Sequence, residues 1–252
     1  MVTIENMNIN YICEGKGANV LILHGWGASI DTVMPIVNIL KEHFRVYAID
    51  LPGFGKSEKP EFPFSSQDYA RIVKKFIDLM KIDKVTLIGH SFGGKISILM
   101  AVNHPEIVEK LVLIDSAGLI PRRNMKYYIK VYSFKTLKLI YRIIFYWNKN
   151  NETMEKFYSK FGSADYKNAS GVMRKTLVKV INENLRPILK RIQCPTLLIW
   201  GDEDKDTPLY MGKIMEEEIP DSGLVVLEGA GHFSYLDDYY KFAAVLKVFL
   251  IN

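Results

Sequence analysis

Cysteine is scarce: Cys13 and Cys194 are the only two in 252 residues. Neither stands in a CxxC pair or at a zinc-binding spacing, so two free, mostly buried thiols in a reducing compartment are expected. Long apolar runs are missing too. The most apolar stretch, Leu137 to Trp147, is interrupted by Lys138 and Arg142, well short of the ~18 residues a bilayer span requires. The opening MVTIENMNIN has no basic start followed by an apolar run, so no secretory leader is expected and the protein reads as cytoplasmic. There is no HExxH, and the acidic group at 202–206 lacks the glycine and glutamate of an EF-hand loop. No metal site is therefore expected. Internal repeats and low-complexity tracts are also lacking.

What is there suits a globular α/β domain with a small insertion. Hydrophobic residues make up 48% and charged residues 24%, ordinary values for a folded chain with a sizeable core. The net charge of +5 is unevenly spread. Residues 119–190 hold 16 Lys and Arg against 4 Asp and Glu, while the rest of the chain holds 17 against 24. So sharp a shift marks a separate structural unit. No nucleic-acid-binding motif accompanies the charge, and nucleic acid is not expected as a partner.

Short, near-continuously apolar runs recur at 20–23, 45–49, 84–88, 111–114, 196–200 and 224–227. That is the pattern of parallel strands covered on both faces. Helical patterns lie between them, at about 31–43, 65–80, 92–104, 207–218 and 237–250, with Asp31 and Ser65 or Ser66 as N-caps. Strands alternating with helices predict a doubly wound, mostly parallel sheet. Ile4–Ile12 alternates and suits one or two antiparallel edge strands. The alternation then breaks for about 75 residues, too long for a loop. Helical patterns at about 121–147, 151–161, 168–183 and 184–192 fill that gap. The expected organisation is a core of 1–118 and 187–252 with a helical cap, 119–186, inserted between them.

Gly89-His90-Ser91-Phe92-Gly93 is a G-x-S-x-G directly after a strand and directly before a helical pattern. Its glycines permit a sharp strand-to-helix turn that lifts the Ser91 hydroxyl above the sheet. A serine needs a base to take its proton. His232, in the glycine-flanked GAGHF after the last strand, is placed to overhang the switch point of such a sheet. The base needs a carboxylate to hold its tautomer. Asp202, Glu203, Asp204 and Asp206 all follow one strand end, and position alone does not choose among them. A tetrahedral intermediate needs donors, for which the backbone N–H groups of Phe92 and of Trp26, in His24-Gly25-Trp26-Gly27, are suited.

Together these motifs resemble the α/β-hydrolase superfamily over essentially the whole chain. HGWG is similar to its oxyanion motif, DLPGFGKSEKP to its D-x-P-G-x-G-x-S loop, GHSFGG to its nucleophile elbow, and GAGHF to its histidine loop. WGDEDKDTP resembles G-x-x-D-x-x-x-P, and that resemblance selects Asp204 as the acid; members that carry the acid one strand earlier would have it at Asp115. The chain most resembles small carboxylesterases and pimeloyl-ACP methyl ester esterase-like proteins. A serine at the elbow separates it from haloalkane dehalogenases and epoxide hydrolases. HGWG departs from the HGGPG-like loop of proline iminopeptidases.

The resemblance implies a catalytic triad of Ser91, Asp204 and His232, an oxyanion hole of Trp26 and Phe92, and no cofactor. Hydrolysis of short- to medium-chain or aromatic carboxylic esters is the expected reaction. Carbon–carbon hydrolases of the meta-cleavage type, thioesterases and acyltransferases share the triad, and a non-catalytic binding protein on the same fold is the remaining alternative. His24, Gly25, His90, Tyr128, Tyr132, Phe145 and Phe233 are expected to line the substrate pocket, in a monomer or homodimer.

On a helical wheel Lys135, Lys138 and Arg142 fall within about 60° of one another, on a helix otherwise apolar and aromatic. In the plainer reading, the apolar faces of the cap pack on the core and the basic side meets water. In the sharper one, the cap forms an acyl pocket whose basic rim draws anionic substrates, with an acyl carrier protein or a lipid surface as partner.

Overall fold

The computed structural model describes residues 1–122, 125–144 and 164–251, with side chains throughout except at 126–128, 130, 138, 141, 142, 144 and 164. The helix expected at 151–161 therefore lies outside the described residues. Among the described residues, nine strands form two sheets. β1 (Val2–Ile4) and β2 (Met7–Ile9) make an antiparallel pair of their own. A seven-stranded sheet runs in the order β3-β5-β4-β6-β7-β8-β9. Its strands are β3 (Tyr11–Glu14), β4 (Asn19–Leu23), β5 (Arg45–Ile49), β6 (Val85–His90), β7 (Val108–Ile114), β8 (Thr196–Gly201) and β9 (Ser222–Leu227). Within this sheet β3 runs antiparallel to β5, and the other described pairs are parallel. The N-terminal segment thus contains three strands rather than one or two.

Side-chain alternation divides the core into two layers. Leu21, Leu23, Leu87, Leu113 and Trp200 face one layer, while Val20, Ile22, Ile88, Val112 and Ile199 face the other. Helices cover both faces, which is why the strands read as unbroken apolar runs. α2 (Ser66–Leu79), α3 (Phe92–Asn103) and α7 (Tyr210–Glu218) pack on the first layer. α1 (Ile30–Leu40) and α9 (Tyr239–Ile251) pack on the second. The short α8 (Ser234–Asp237) precedes α9, which is the helix expected at about 237–250.

Helix starts follow local chemistry. Ser65 caps α2 in a capping box with Asp68, satisfying two amide donors reciprocally. The cap expected at Asp31 is not found. α1 starts one residue after Ser29, whose side chain makes no capping bond. The Ile30 N–H donates instead to Asp50 Oδ1 at 2.7 Å. A carboxylate from the end of a neighbouring strand has taken over the cap.

The strand order reverses between β4 and β6, where the register sets Leu23 beside Gly89. The long break after β7 contains α4 (Met125–Ile144), α5 (Ala164–Asn168), α6 (Gly171–Val180) and a 3₁₀ turn at Arg186–Arg191. Among the described residues, no helix is long and apolar enough to cross a membrane.

Candidate active site

The site sits at the carboxyl ends of β4, β6 and β8, at the point where the strand order reverses. Ligands of open α/β sheets bind at that crevice. β6 runs into α3 through Ser91, whose backbone is left-handed at φ 50° and ψ −113°. A non-glycine residue there is strained, and the surroundings must hold it. They do so through hydrogen bonds: Ser91 N–H donates to Ile114 O at 3.0 Å, and Ser91 O accepts from Ala117 N–H at 3.0 Å. Two glycines make the turn possible. A Cβ on Gly89 would stand 2.5 Å from Gly93 O, and one on Gly93 would collide with the Leu23 carbonyl oxygen of β4.

Three side chains from three separate loops meet in a line. His232 Nε2 lies 2.9 Å from Ser91 Oγ. On the other side of the ring, His232 Nδ1 lies 2.8 Å from Asp204 Oδ2. A carboxylate can only accept, so Nδ1 carries the proton and Nε2 is left as the acceptor for the serine hydroxyl. Asp204 is itself fixed. Its Oδ1 accepts from Asp206 N–H at 2.8 Å and Thr207 N–H at 3.0 Å, and its Oδ2 accepts from Thr207 Oγ1 at 2.7 Å. Burial opposes ionisation of Asp204, but the His232 and Thr207 donors outweigh it and lower its pKa. Burial likewise opposes charge on His232, and the Asp204 hydrogen bond and charge, followed by Asp206 and Asp115, raise its pKa above 6.5.

Asp115, the other candidate acid, does different work. Its Oδ1 accepts from Gly201 N–H at 2.9 Å and its Oδ2 from Ser234 N–H at 3.1 Å. It therefore ties the end of β8 to the loop carrying His232. Burial drives its pKa up to about 7, and the neighbouring Asp204 charge acts the same way. Asp204, Asp206 and His232 also offer atoms within 4.8 Å of one another, as a cation site would. The His232 Nδ1–H···Oδ2 bond and the Asp206 N–H bond, both to Asp204, draw the three together.

The expected oxyanion donors flank the serine. Among the described residues, no protein acceptor takes the N–H of Trp26 or of Phe92. Phe92 opens α3, where the amides have no partner within the helix. The Trp26 ring packs edge-on against Phe92 at 5.4 Å and Phe54 at 4.8 Å between centroids. Gly25 O accepts from Ala28 N–H at 3.3 Å and from His24 Nδ1–H at 2.7 Å, which closes the turn below.

Two residues expected in the pocket belong to its foundations. His24 is fully buried, and its Nε2 accepts from Leu51 N–H at 3.0 Å. Both its nitrogens are engaged, and burial lowers its pKa. His90 is buried as well, and its Nε2 lies 2.7 Å from His232 O, so it holds the backbone of the candidate base. Burial drives the His90 pKa down to about 3, keeping the ring neutral. A histidine inside a motif turns inward when the backbone beside it needs a partner. Phe233 does reach the site surface, with its ring centroid 4.9 Å from that of His90. Tyr132 does not join this cluster. It is 63% exposed on α4, with the Lys135 ammonium 5.5 Å from its ring centroid. Phe145 and the side chain of Tyr128 lie outside the described residues.

Sequence patterns gave little warning of several supporting groups. Thr207 orients Asp204, and Lys95 is buried four residues after Ser91. Lys95 Nζ donates to Val180 O at 2.5 Å and to Glu183 O at 3.0 Å, pinning the end of α6 to the nucleophile's helix. Burial pulls its pKa down to about 8. Asp165, from α5, brings a carboxylate over the oxyanion loop, 3.9 Å from where a Cβ on Gly27 would stand. Its pKa is raised, first by burial and then by Asp206, against the pull of His232.

Residues 18–239 match the family model for the alpha/beta hydrolase fold. The chain belongs to the α/β-hydrolase fold family. The chain is 28% identical to the uncharacterized hydrolase YugF of Bacillus subtilis, over 91% of this chain and 89% of that one. It is 26% identical to the 2-hydroxy-6-oxo-6-(2'-aminophenyl)hexa-2,4-dienoic acid hydrolase of Metapseudomonas resinovorans, over 99% of this chain and 89% of the relative. Among solved structures, an esterase from Exiguobacterium antarcticum superposes with a TM-score of 0.78 at 25% identity, covering 99% of this chain and 98% of that one. These likenesses make the protein a hydrolase and leave the bond it cleaves to be argued from its site.

Proposed function

We propose that this α/β-hydrolase cleaves carboxylic esters through an acyl-enzyme formed on Ser91. The observation that carries the reading is the continuous Ser91–His232–Asp204 hydrogen-bond line beside two unspent amide donors. Ser91 Oγ attacks the ester carbonyl as its proton passes to His232 Nε2. The carbonyl oxygen becomes an oxyanion held by the Trp26 and Phe92 N–H groups. The tetrahedral adduct collapses, and the leaving alkoxide takes the proton from Nε2. Water then attacks the acyl-enzyme, again giving its proton to His232, and the carboxylic acid leaves as Ser91 regains its hydrogen. Asp204 orients the imidazole and stabilises its charged form throughout. No cofactor takes part in these steps, and short- to medium-chain or aromatic acyl groups are the preferred substrates.

Carbon–carbon hydrolysis is the second reading, since the Metapseudomonas relative acts on a dienoic acid. Such a substrate brings its own carboxylate. Here Asp165 and Asp206 place negative charge beside His232, which favours a neutral ester over an anion. The deciding experiment compares p-nitrophenyl esters of increasing chain length with a ring-cleavage dienoate, on wild type and Ser91→Ala. Ester turnover that falls on the order of 10³–10⁶-fold in kcat in Ser91→Ala is expected. Turnover of the dienoate with no ester turnover would replace the ester reading with the carbon–carbon one.

A further inference from the structure

α4 is built the wrong way round for a helix that packs on a core. At about 100° per residue, Met125, Ile129, Tyr132, Leu139, Ile140 and Ile143 share an arc of about 100°. Thr136 is the one polar residue in that arc. This stripe faces outward: Met125 is 74% exposed, Ile129 62%, Leu139 59% and Ile143 66%. The inward side is the less apolar one, where Phe134 meets Tyr166 at 6.1 Å between ring centroids. The helix carries Lys126, Lys130, Lys135, Lys138 and Arg142 and no acidic residue. By helical position Lys126 flanks one edge of the stripe and Lys135, with Arg142 next to it, the other, while Lys130 and Lys138 fall toward the opposite side.

We propose that α4 is an interfacial helix that docks the enzyme on an anionic lipid surface. The 20 residues of the helix span roughly 30 Å, enough to lie along a bilayer. The apolar stripe would enter the boundary between headgroups and acyl chains while the flanking cations meet lipid phosphates. One occupant accounts for both features. A second copy of this chain would cover the stripe but set two rows of cations against each other. An acidic protein would satisfy the lysines and leave the apolar arc unexplained. The proposal goes beyond ester chemistry and needs no turnover to be tested.

The test is flotation of the whole protein with vesicles of one-third phosphatidylglycerol in phosphatidylcholine, and with phosphatidylcholine alone. Wild type is expected to float with the anionic vesicles at low salt, to be released by high salt, and to ignore the neutral ones. Ile129→Asp and Ile143→Asp should each lower the partition about ten-fold or more, and Lys135→Gln about five-fold. The melting temperature of all three should stay within a few degrees of wild type, which shows that they remain folded. Wild type that stays unbound overturns the proposal. So does vesicle binding that the aspartate variants retain while Lys135→Gln loses it, since charge alone would then be the contact. A wild-type dimer that Ile143→Asp splits, without vesicle binding, would assign the face to a second copy instead.

Discussion

Two helices on either side of β7 use apolar residues in opposite ways. From Val85 through β6 and α3 to Val102, every side chain but Ser91 is buried. On α4, by contrast, the largest aliphatic side chains stand in water beside lysines. The first region is apolar because it must hold one strained serine in place. The second is apolar with no core against its outward stripe among the described residues. Hydrophobicity alone therefore carries two meanings, and only the surroundings separate them: α3 is clasped by β4, β6 and β7, whereas α4 keeps its stripe outside.

The comparison breaks first at the site. Asp204→Asn keeps the shape but presents an amide to His232, so the wrong ring nitrogen carries the proton. Ester kcat should fall on the order of 10⁴-fold in a protein that still folds, as steady-state assays and calorimetry would show; equal activity would remove Asp204 from the mechanism. Gly93→Ala comes next. Its Cβ would collide with the Leu23 carbonyl, and overpacking of the backbone should cost about 3 kcal/mol or more in denaturant unfolding. Loss of less than ~1 kcal/mol would mean that the elbow is softer than its packing implies.

A smaller effect lies in pH. His232 must be neutral to accept the serine proton, and its pKa is raised above 6.5. The limb of kcat/KM should therefore be lost as pH falls through a value above 6.5. The raised pKa also adds stability that is full below the unfolded value and lost as pH rises through the folded one. Activity and this share of stability move in opposite directions across the same window. Asp206→Asn removes one raising charge and should shift the limb downward; a limb that stays put would show that Asp206 does not act on the base. The smallest effect belongs to α4, where Ile143→Asp should change unfolding free energy by no more than ~0.5 kcal/mol. A larger loss would place Ile143 in a packed contact and erase the contrast between the two regions.

Much of this was legible in the order of residues. Unbroken apolar runs, helices between them and a serine between glycines after a strand left few folds open, because each is a local requirement of backbone geometry. The same local logic misread other positions. His24 and His90 stand inside motifs and looked available to substrate, but their Nε2 atoms serve Leu51 N–H and His232 O. Asp31 looked like a cap, and Asp50 supplied it from another strand. Which of four clustered acids reaches His232 depended on the resemblance until the loop's shape was seen.

The sequence by itself determined the doubly wound sheet, the elbow at Ser91, the histidine loop and the excess of cations in the insertion, since periodicity, glycine spacing and charge are properties of the chain. Only the tertiary structure decided that Asp115 and Asp204 divide two tasks, that Lys95 anchors α6, and that the apolar arc of α4 faces outward. These rest on groups far apart in the chain, and no local pattern records which partner a buried charge will find or which side of a helix the core will occupy.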